Sequence, residues 1–157
     1  MKRILPICLA IAALTIGATA QVNKAAAPVK RLESKNLPPE VQRTIQNESK
    51  GAEIKNISKE TEHGVAQYEV ETILNGKHRD FDVNTKGVLL AVEEETTLDA
   101  IPTAAKATIL RKIADGKLGM VEISKRGGEA LYEAAYTSKG GKKREVLVKA
   151  DGTETKD

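Results

Sequence analysis

The sequence predicts an α+β fold: two tandem copies of a helix followed by a four-stranded antiparallel meander, joined into one continuous sheet with the helices on one face. Three observations predict it. First, beyond the N-terminal region the chain can be laid over itself with a period of about 65 residues. Leu37-Pro38 answers to Ile101-Pro102, Ile45 to Ile109, Tyr68-Glu69 to Tyr132-Glu133, Asn75-Gly76 to Lys139-Gly140, Phe81-Asp82-Val83 to Val146-Leu147-Val148, and Lys86-Gly87 to Asp151-Gly152. Second, in each copy the apolar spacing is helical at the start and then changes to a period of two. Third, tight-turn signals punctuate the second part of each copy. A period of this length denotes a duplicated domain, because solenoid repeats are shorter.

The elements follow in order. Leu37, Val41 and Ile45 recur every four residues behind Asn36 and two prolines, and Gly51 closes the segment, which gives the start, stripe and stop of a short amphipathic helix. Ala105, Ile109 and Ile113 form the same stripe after Pro102, ending near Gly116. Ala66, Tyr68 and Val70 alternate with Gln67, Glu69 and Glu71, Asn75-Gly76 supplies a two-residue hairpin turn, and Phe81 and Val83 alternate with Asp80, Asp82 and Asn84. Strands near Ile54–Ser58 and Val88–Glu93 complete four. The second copy places strands at Met120–Ser124, Ala130–Thr137 and Lys143–Val148, with a stub after Gly152. Such a unit buries one sheet face under its helix and leaves the other polar and open. Each copy alone is of a size at which one core is marginal, so the two support each other and the open face becomes a broad, shallow platform.

Ahead of these copies stands Met1-Lys2-Arg3, an apolar run from Ile4 to Ile16, and Gly17-Ala18-Thr19-Ala20. A basic start, a short apolar core and small residues two apart are the parts of a secretory signal peptide, with cleavage expected after Ala20. The run is shorter than the roughly 20 apolar residues that cross a bilayer, so no membrane insertion is expected once the signal is removed. The expected organisation is a signal peptide over 1–20, a flexible leader over 21–36, a first copy over 37–95, a linker over 96–100 and a second copy over 101–157. The expected location is the periplasm or the extracellular medium.

The only cysteine, Cys8, lies in the signal, so the mature chain has no disulfide, thiol nucleophile or thiolate metal site. It carries 23 basic residues against 22 acidic ones, and aromatics make up 3% of the sequence with no Trp, which argues against a nucleic-acid surface. The histidines, His63 and His78, have no counterparts in the other copy. No segment has the strand-to-helix nucleophile turn of a serine hydrolase. Glu60, Glu62 and His63, with His78 across the sheet, could hold a surface metal ion, but a solvated turn explains them better. Gly127-Gly128 and the run Ser138-Lys139-Gly140-Gly141-Lys142-Lys143-Arg144 lack the spacing and following helix of a phosphate loop, and read as hairpin turns. No catalytic residue, metal site or cofactor is assigned.

The helix-then-meander order, the Tyr-centred second strand, the turns at Lys86-Gly87 and Asp151-Gly152 and the export signal together resemble the PepSY-like family, including its beta-lactamase-inhibitor-like (BLIP-like) branch. The resemblance covers nearly all of the mature chain. It implies a tandem exported module that contacts other proteins, with an inhibitory or chaperoning role toward peptidases. The chain departs from the inhibitor members in lacking cysteines and in a charged rather than aromatic sheet surface, so the architecture and protein or peptide binding are carried over and beta-lactamase inhibition is not.

Charge divides unevenly. Residues 37–95 hold 7 basic and 12 acidic residues, and residues 101–157 hold 12 basic and 8 acidic. This dipole can steer a partner or align copies head to tail, and it is equally compatible with surface drift after duplication. Glu93-Glu94-Glu95 and Lys142-Lys143-Arg144, the densest runs, fall at strand ends or edges, where charge also discourages aggregation. The expected function is an exported, non-enzymatic binding module for a protein or peptide of unknown identity, monomeric or weakly self-associating. The expected contacts are the outward strand residues Gln67, Glu69, Glu71, Asp80, Asp82, Glu133 and Glu145. The alternative is a periplasmic small-ligand or cation-binding protein.

Overall fold

A computed structural model describes residues 32–62 and 64–156. The expected signal peptide, most of the expected leader and His63 lie outside the described residues. The chain is already tied to the sheet at Leu32, whose N–H donates to the Ile57 carbonyl at 2.8 Å, and a 3-10 turn follows at Ser34–Asn36.

Helix α1 runs Pro39–Glu48 and helix α2 runs Thr103–Ile113. Each follows a proline at its N-cap, where a fixed φ is preorganised for the first turn. Val41 and Ile45 of α1 are buried, as are Ala105, Ile109 and Ile113 of α2. The Arg79 guanidinium donates to the Glu48 carbonyl at 2.9 Å, satisfying a C-terminal acceptor that the helix itself leaves open. Both helices are also latched at mid-length by a hydroxyl and a glycine carbonyl. Thr44 Oγ1 donates to Gly87 O at 2.6 Å, and Thr108 Oγ1 donates to Gly152 O at 2.8 Å. These glycines have φ of +80° and +84°, and a Cβ on either would come within 2.7 Å of helix backbone, at Glu40 or Ala104. Only glycine lets the turn approach the helix this closely.

Strands β1 (Glu53–Glu62), β2 (Val65–Leu74), β3 (Lys77–Asn84) and β4 (Leu89–Thr96) precede α2. Strands β5 (Lys117–Arg126), β6 (Glu129–Thr137), β7 (Lys143–Lys149) and the two-residue β8 (Glu154–Thr155) follow it. The β2–β3 turn is Asn75-Gly76, with φ of 53° and 79°, the two positive values that a type I′ hairpin requires.

The expected fold class is corrected here. Antiparallel pairing does not break between β4 and β5: Ala91 to Thr96 face Arg126 to Val121, and the strand order β1 to β8 is that of one sheet. The described residues form a single eight-stranded antiparallel sheet with two α-helices and one 3-10 turn, in place of an α+β arrangement of two tandem helix-plus-four-strand units. The physical reason lies in the edge of β4. Its backbone donors and acceptors need partners, and α2, although it intervenes in sequence, packs on β6 and β7 and leaves that edge to β5.

Two apolar clusters lie on the helix-bearing face. One gathers Leu37, Val41, Ile45, Ile57, Tyr68, Val70, Phe81 and Val83, and the other gathers Ile101, Ala105, Ile109, Ile113, Val121, Ala134, Val146 and Val148. Fully burying each large aliphatic or aromatic side chain contributes about 2 kcal/mol. Strand alternation then commits the intervening residues to the opposite face.

Candidate functional site

The face away from the helices is built by cross-strand rows of polar residues. Ser58, Glu69, Asp82, Ala91 and Arg126 stand in register across β1 to β5. Glu95, Glu122, Glu133 and Leu147 form a second row across β4 to β7. Asp80 faces Glu93, and Glu60 faces Gln67.

One ion pair reveals the shape of this face. Arg126 in β5 donates to Glu62 in β1 at 2.9 Å and to Asp82 in β3 at 3.1 Å. Four strand spacings separate β5 from β1, about 19 Å across a flat sheet, which is more than an arginine and a glutamate can bridge. The sheet therefore curls toward this face. Its side chains shelter one another without a covering layer: Gln67 is 2% exposed, Glu122 8% and Asp82 9%. The expected broad, shallow platform of solvated side chains is thus a recessed trough, because twist and coil accumulated over eight strands bend the sheet around its polar side.

Two acidic groups occupy the trough. In the first, Glu60, Glu62 and Asp82 bring one oxygen each within 4.8 Å of one another. Polar side chains of the chain itself answer this group. The Gln67 amide donates to Glu60 at 3.0 Å and to Glu62 at 2.8 Å, and Arg126 bridges Glu62 and Asp82. In the second, the Glu122 carboxylate has Glu93, Asp80, Glu95 and Glu145 as its electrostatic neighbours. Among the described residues no donor or cation pairs with Glu122.

Burial sets the protonation of these groups. Desolvation, reinforced by Glu60, Glu71 and Asp82, pushes the Glu69 carboxyl from its ordinary 4.5 up to about 8, against a hydrogen bond from Ser58. Asp82 rises to about 7, because desolvation and the charge of Glu93 outweigh Arg126. Glu122 rises to about 7 by desolvation and then by Glu93, Asp80, Glu95 and Glu145. Asp80 is raised by desolvation against the Thr72 N–H it accepts at 2.8 Å, and Glu145 is raised by burial.

Gln67, Glu69, Glu71, Asp80, Asp82, Glu133 and Glu145 all lie on this one face. They do not form one contact row. Gln67 and Asp82 are locked in internal hydrogen bonds, Glu71 accepts from Asn56 at 2.9 Å, and Glu145 stands exposed on β7. Sequence reasoning passed over Glu122 and Arg126, and read Glu93 and Glu95 only as part of a charge run at a strand end or edge. Period-two alternation was the available signal, since Glu122 sits between Val121 and Ile123, and Glu93 and Glu95 flank the opposite-facing Glu94. His78 is remote from the Glu60–Glu62–Asp82 group, and its N–H donates to Glu95 at 3.0 Å. Gly127, Gly128, Gly140 and Gly141 sit in the hairpin turns β5–β6 and β6–β7, not before a helix.

No protein-family model and no curated protein sequence matches this chain. Solved structures do. A Bacteroides eggerthii protein given a provisional periplasmic description superposes with a TM-score of 0.62 at 15% identity, covering 76% of this chain and 86% of its own. A DUF2874 family protein from Bacteroides ovatus gives 0.59 at 15% identity, covering 77% and 86%. A BLIP-like protein from Bacteroides fragilis gives 0.55 at 16% identity, covering 76% and 84%. Among the described residues no helix is long and apolar enough to cross a membrane. At these identities the shared property is the fold, and the chain has the fold of BLIP-like and DUF2874 proteins.

Proposed function

We propose that this chain is an exported, non-enzymatic binding module that receives a protein or peptide in the trough on the helix-free face of its sheet. The observation that carries the reading is the curl measured by Arg126: a recessed, polar, uncovered surface several strands wide is the shape of a receptor for an extended segment. The N-terminal signal reading and the periplasmic descriptions of proteins with this fold support an exported location. The resemblance to PepSY-like modules supports an exported hydrolase as the partner, held in an inhibitory or chaperoning contact. A cation-binding reading draws on the Glu60–Glu62–Asp82 group, where one oxygen of each carboxylate already accepts from Gln67 or Arg126.

The test is capture from an extract of exported proteins on immobilised residues 21–157, run beside two variants. Glu69→Arg with Glu133→Arg places two cations in the trough, and Glu40→Arg changes the exposed surface of α1. A retained protein lost with the first variant and kept with the second is expected. Retention that ignores the trough variant and fails with Glu40→Arg would move the binding surface to the helices.

A further inference from the structure

Each half of the sheet carries its own core. The cluster under α1 draws on strands β1 to β4, the cluster under α2 draws on β5 to β7, and the two share no residue. They meet along one seam, the β4–β5 ladder. Among the described residues the side-chain hydrogen bonds and ion pairs that cross this seam are polar links between strand surfaces. Ser124 donates to Glu93 at 3.2 Å, Lys125 pairs with Glu94 at 2.6 Å, and Arg126 reaches Asp82 and Glu62. A packed core resists deformation, whereas a seam of backbone ladder and surface ion pairs can change its angle. Arg126 differs from the other two links in its reach. It leaves β5, crosses β4 and ends on Asp82 of β3 at 3.1 Å and on Glu62 of β1 at 2.9 Å. Ala91 stands between Asp82 and Arg126 in register and is 2% exposed on a face that no layer covers, as expected beneath a side chain that crosses it. The arginine side chain itself is 32% exposed, so solvent reaches it.

We propose that Arg126 is a latch across the trough: engaged on Glu62 and Asp82 it holds the two halves of the sheet at a closed angle, and released it lets them swing apart about the β4–β5 seam to admit the partner segment. This rests on the trough being the binding face. A side chain that bridges β5 to β1 lies over the strands between them, so an extended segment running along those strands must displace it. Entry of the segment and opening of the seam are thereby one event. A guanidinium suits the role because its planar fork grips carboxylates from two strands at once, and losing both contacts frees the halves together. The separate cores let each half move as a body, with no apolar cluster torn at the seam.

Residues 21–157 contain no cysteine, so two introduced thiols can carry nitroxide labels without background. Thr61→Cys and Ala150→Cys place them at exposed positions in the first and second halves. Pulsed double electron–electron resonance then reads the distance between the halves. Arg126→Gln is expected to lengthen or broaden that distance by about 5 Å or more, one strand spacing. Glu62→Gln with Asp82→Asn weakens the hold on the same guanidinium without removing it and should act in the same direction. Lys125→Gln, which breaks the pair to Glu94 on the helix-bearing face, should leave the distance unchanged. Should Arg126→Gln fail to fold, the double carboxylate variant decides alone. An unchanged distance in a folded latch variant overturns the proposal, and so does an equal opening in Lys125→Gln, which would make the seam loose without any latch. If the distance is unchanged and a captured protein still maps to the trough, the latch falls and the binding face stands. If the halves open but the captured protein maps to the helices, the binding face falls, and the latch with it, since no segment enters there.

Discussion

Replacing Glu122 by glutamine separates charge from shape at the centre of the trough. The folded chain holds this carboxyl at about 7, against an ordinary 4.5, because the group is desolvated among other carboxylates. A folded-state value above the unfolded one means that the folded chain binds the extra proton. The stability linked to that proton is fully present below about pH 4.5 and is lost as pH rises through about 7. The difference corresponds to about 3 kcal/mol at pH 8 and under about 1 kcal/mol at pH 5. Glutamine has the same shape and does not ionise. Glu122→Gln is therefore expected to leave stability nearly unchanged at pH 5 and to raise it by about 3 kcal/mol at pH 8, near 10 °C in melting temperature for a domain of this size. Urea unfolding of both chains at the two pH values measures it. The wild type should lose stability with pH more steeply than the variant, although Glu69 and Asp82 keep some of the same slope in both. A stability change of equal size at both pH values, or a loss at pH 8, would refute the assignment of Glu122 as a buried, uncompensated acid.

Arg126→Met keeps most of the side-chain length and leaves Glu62 and Asp82 without their bridging guanidinium, so it should cost about 3–5 kcal/mol at pH 8 and less at pH 5, where Asp82 is protonated; chemical denaturation at both pH values checks this. Gly152→Ala places a Cβ 2.7 Å from the Ala104 carbonyl at a φ of +84° and should cost about 2 kcal/mol or more, whereas Gly140→Ala, with open space around it, should be near neutral in the same thermal melts. Ile109→Ala empties the centre of the second apolar cluster and should cost about 2–5 kcal/mol by urea unfolding. Thr108→Val removes the hydroxyl that donates to Gly152 and should cost about 1 kcal/mol, read by the same method.

Local chemistry was legible where a residue type answers a local demand. Asn75-Gly76 states a hairpin because few other pairs accept two positive φ angles. The four-residue spacing of Val41 and Ile45, and of Ala105, Ile109 and Ile113, marks the helix stripes that are buried. Strand ends were less legible: β1 extends to Glu62 and β4 to Thr96, beyond the apolar cores of those segments, because ladder hydrogen bonds continue through charged residues once a neighbour is present. The fold class was misjudged because the internal repeat suggests two helix-plus-four-strand units, whereas the β4–β5 ladder leaves no boundary between them in the sheet. Alternation told which side chains share the helix-free face and could not tell that this face is recessed. That property comes from accumulated sheet curvature, and it is why Gln67 and Asp82 are interior groups while Glu122 went unnoticed.

The order of the strands in the sheet is the order of the strands in the sequence. Each strand pairs with its neighbours in sequence, and apart from the β4–β5 connection, which carries α2 over β6 and β7, the described links are short turns, so most of the backbone can assemble hairpin by hairpin with small loop-closure costs. The clasp of Arg126 on Glu62 spans 64 residues and can close only after the strands between them are paired. Growth of the sheet is thus a local process, whereas its curl is locked late, by a single side chain reaching back to the first strand. Kinetically, Arg126 belongs with the steps after the main barrier, and its removal should speed unfolding far more than it slows folding.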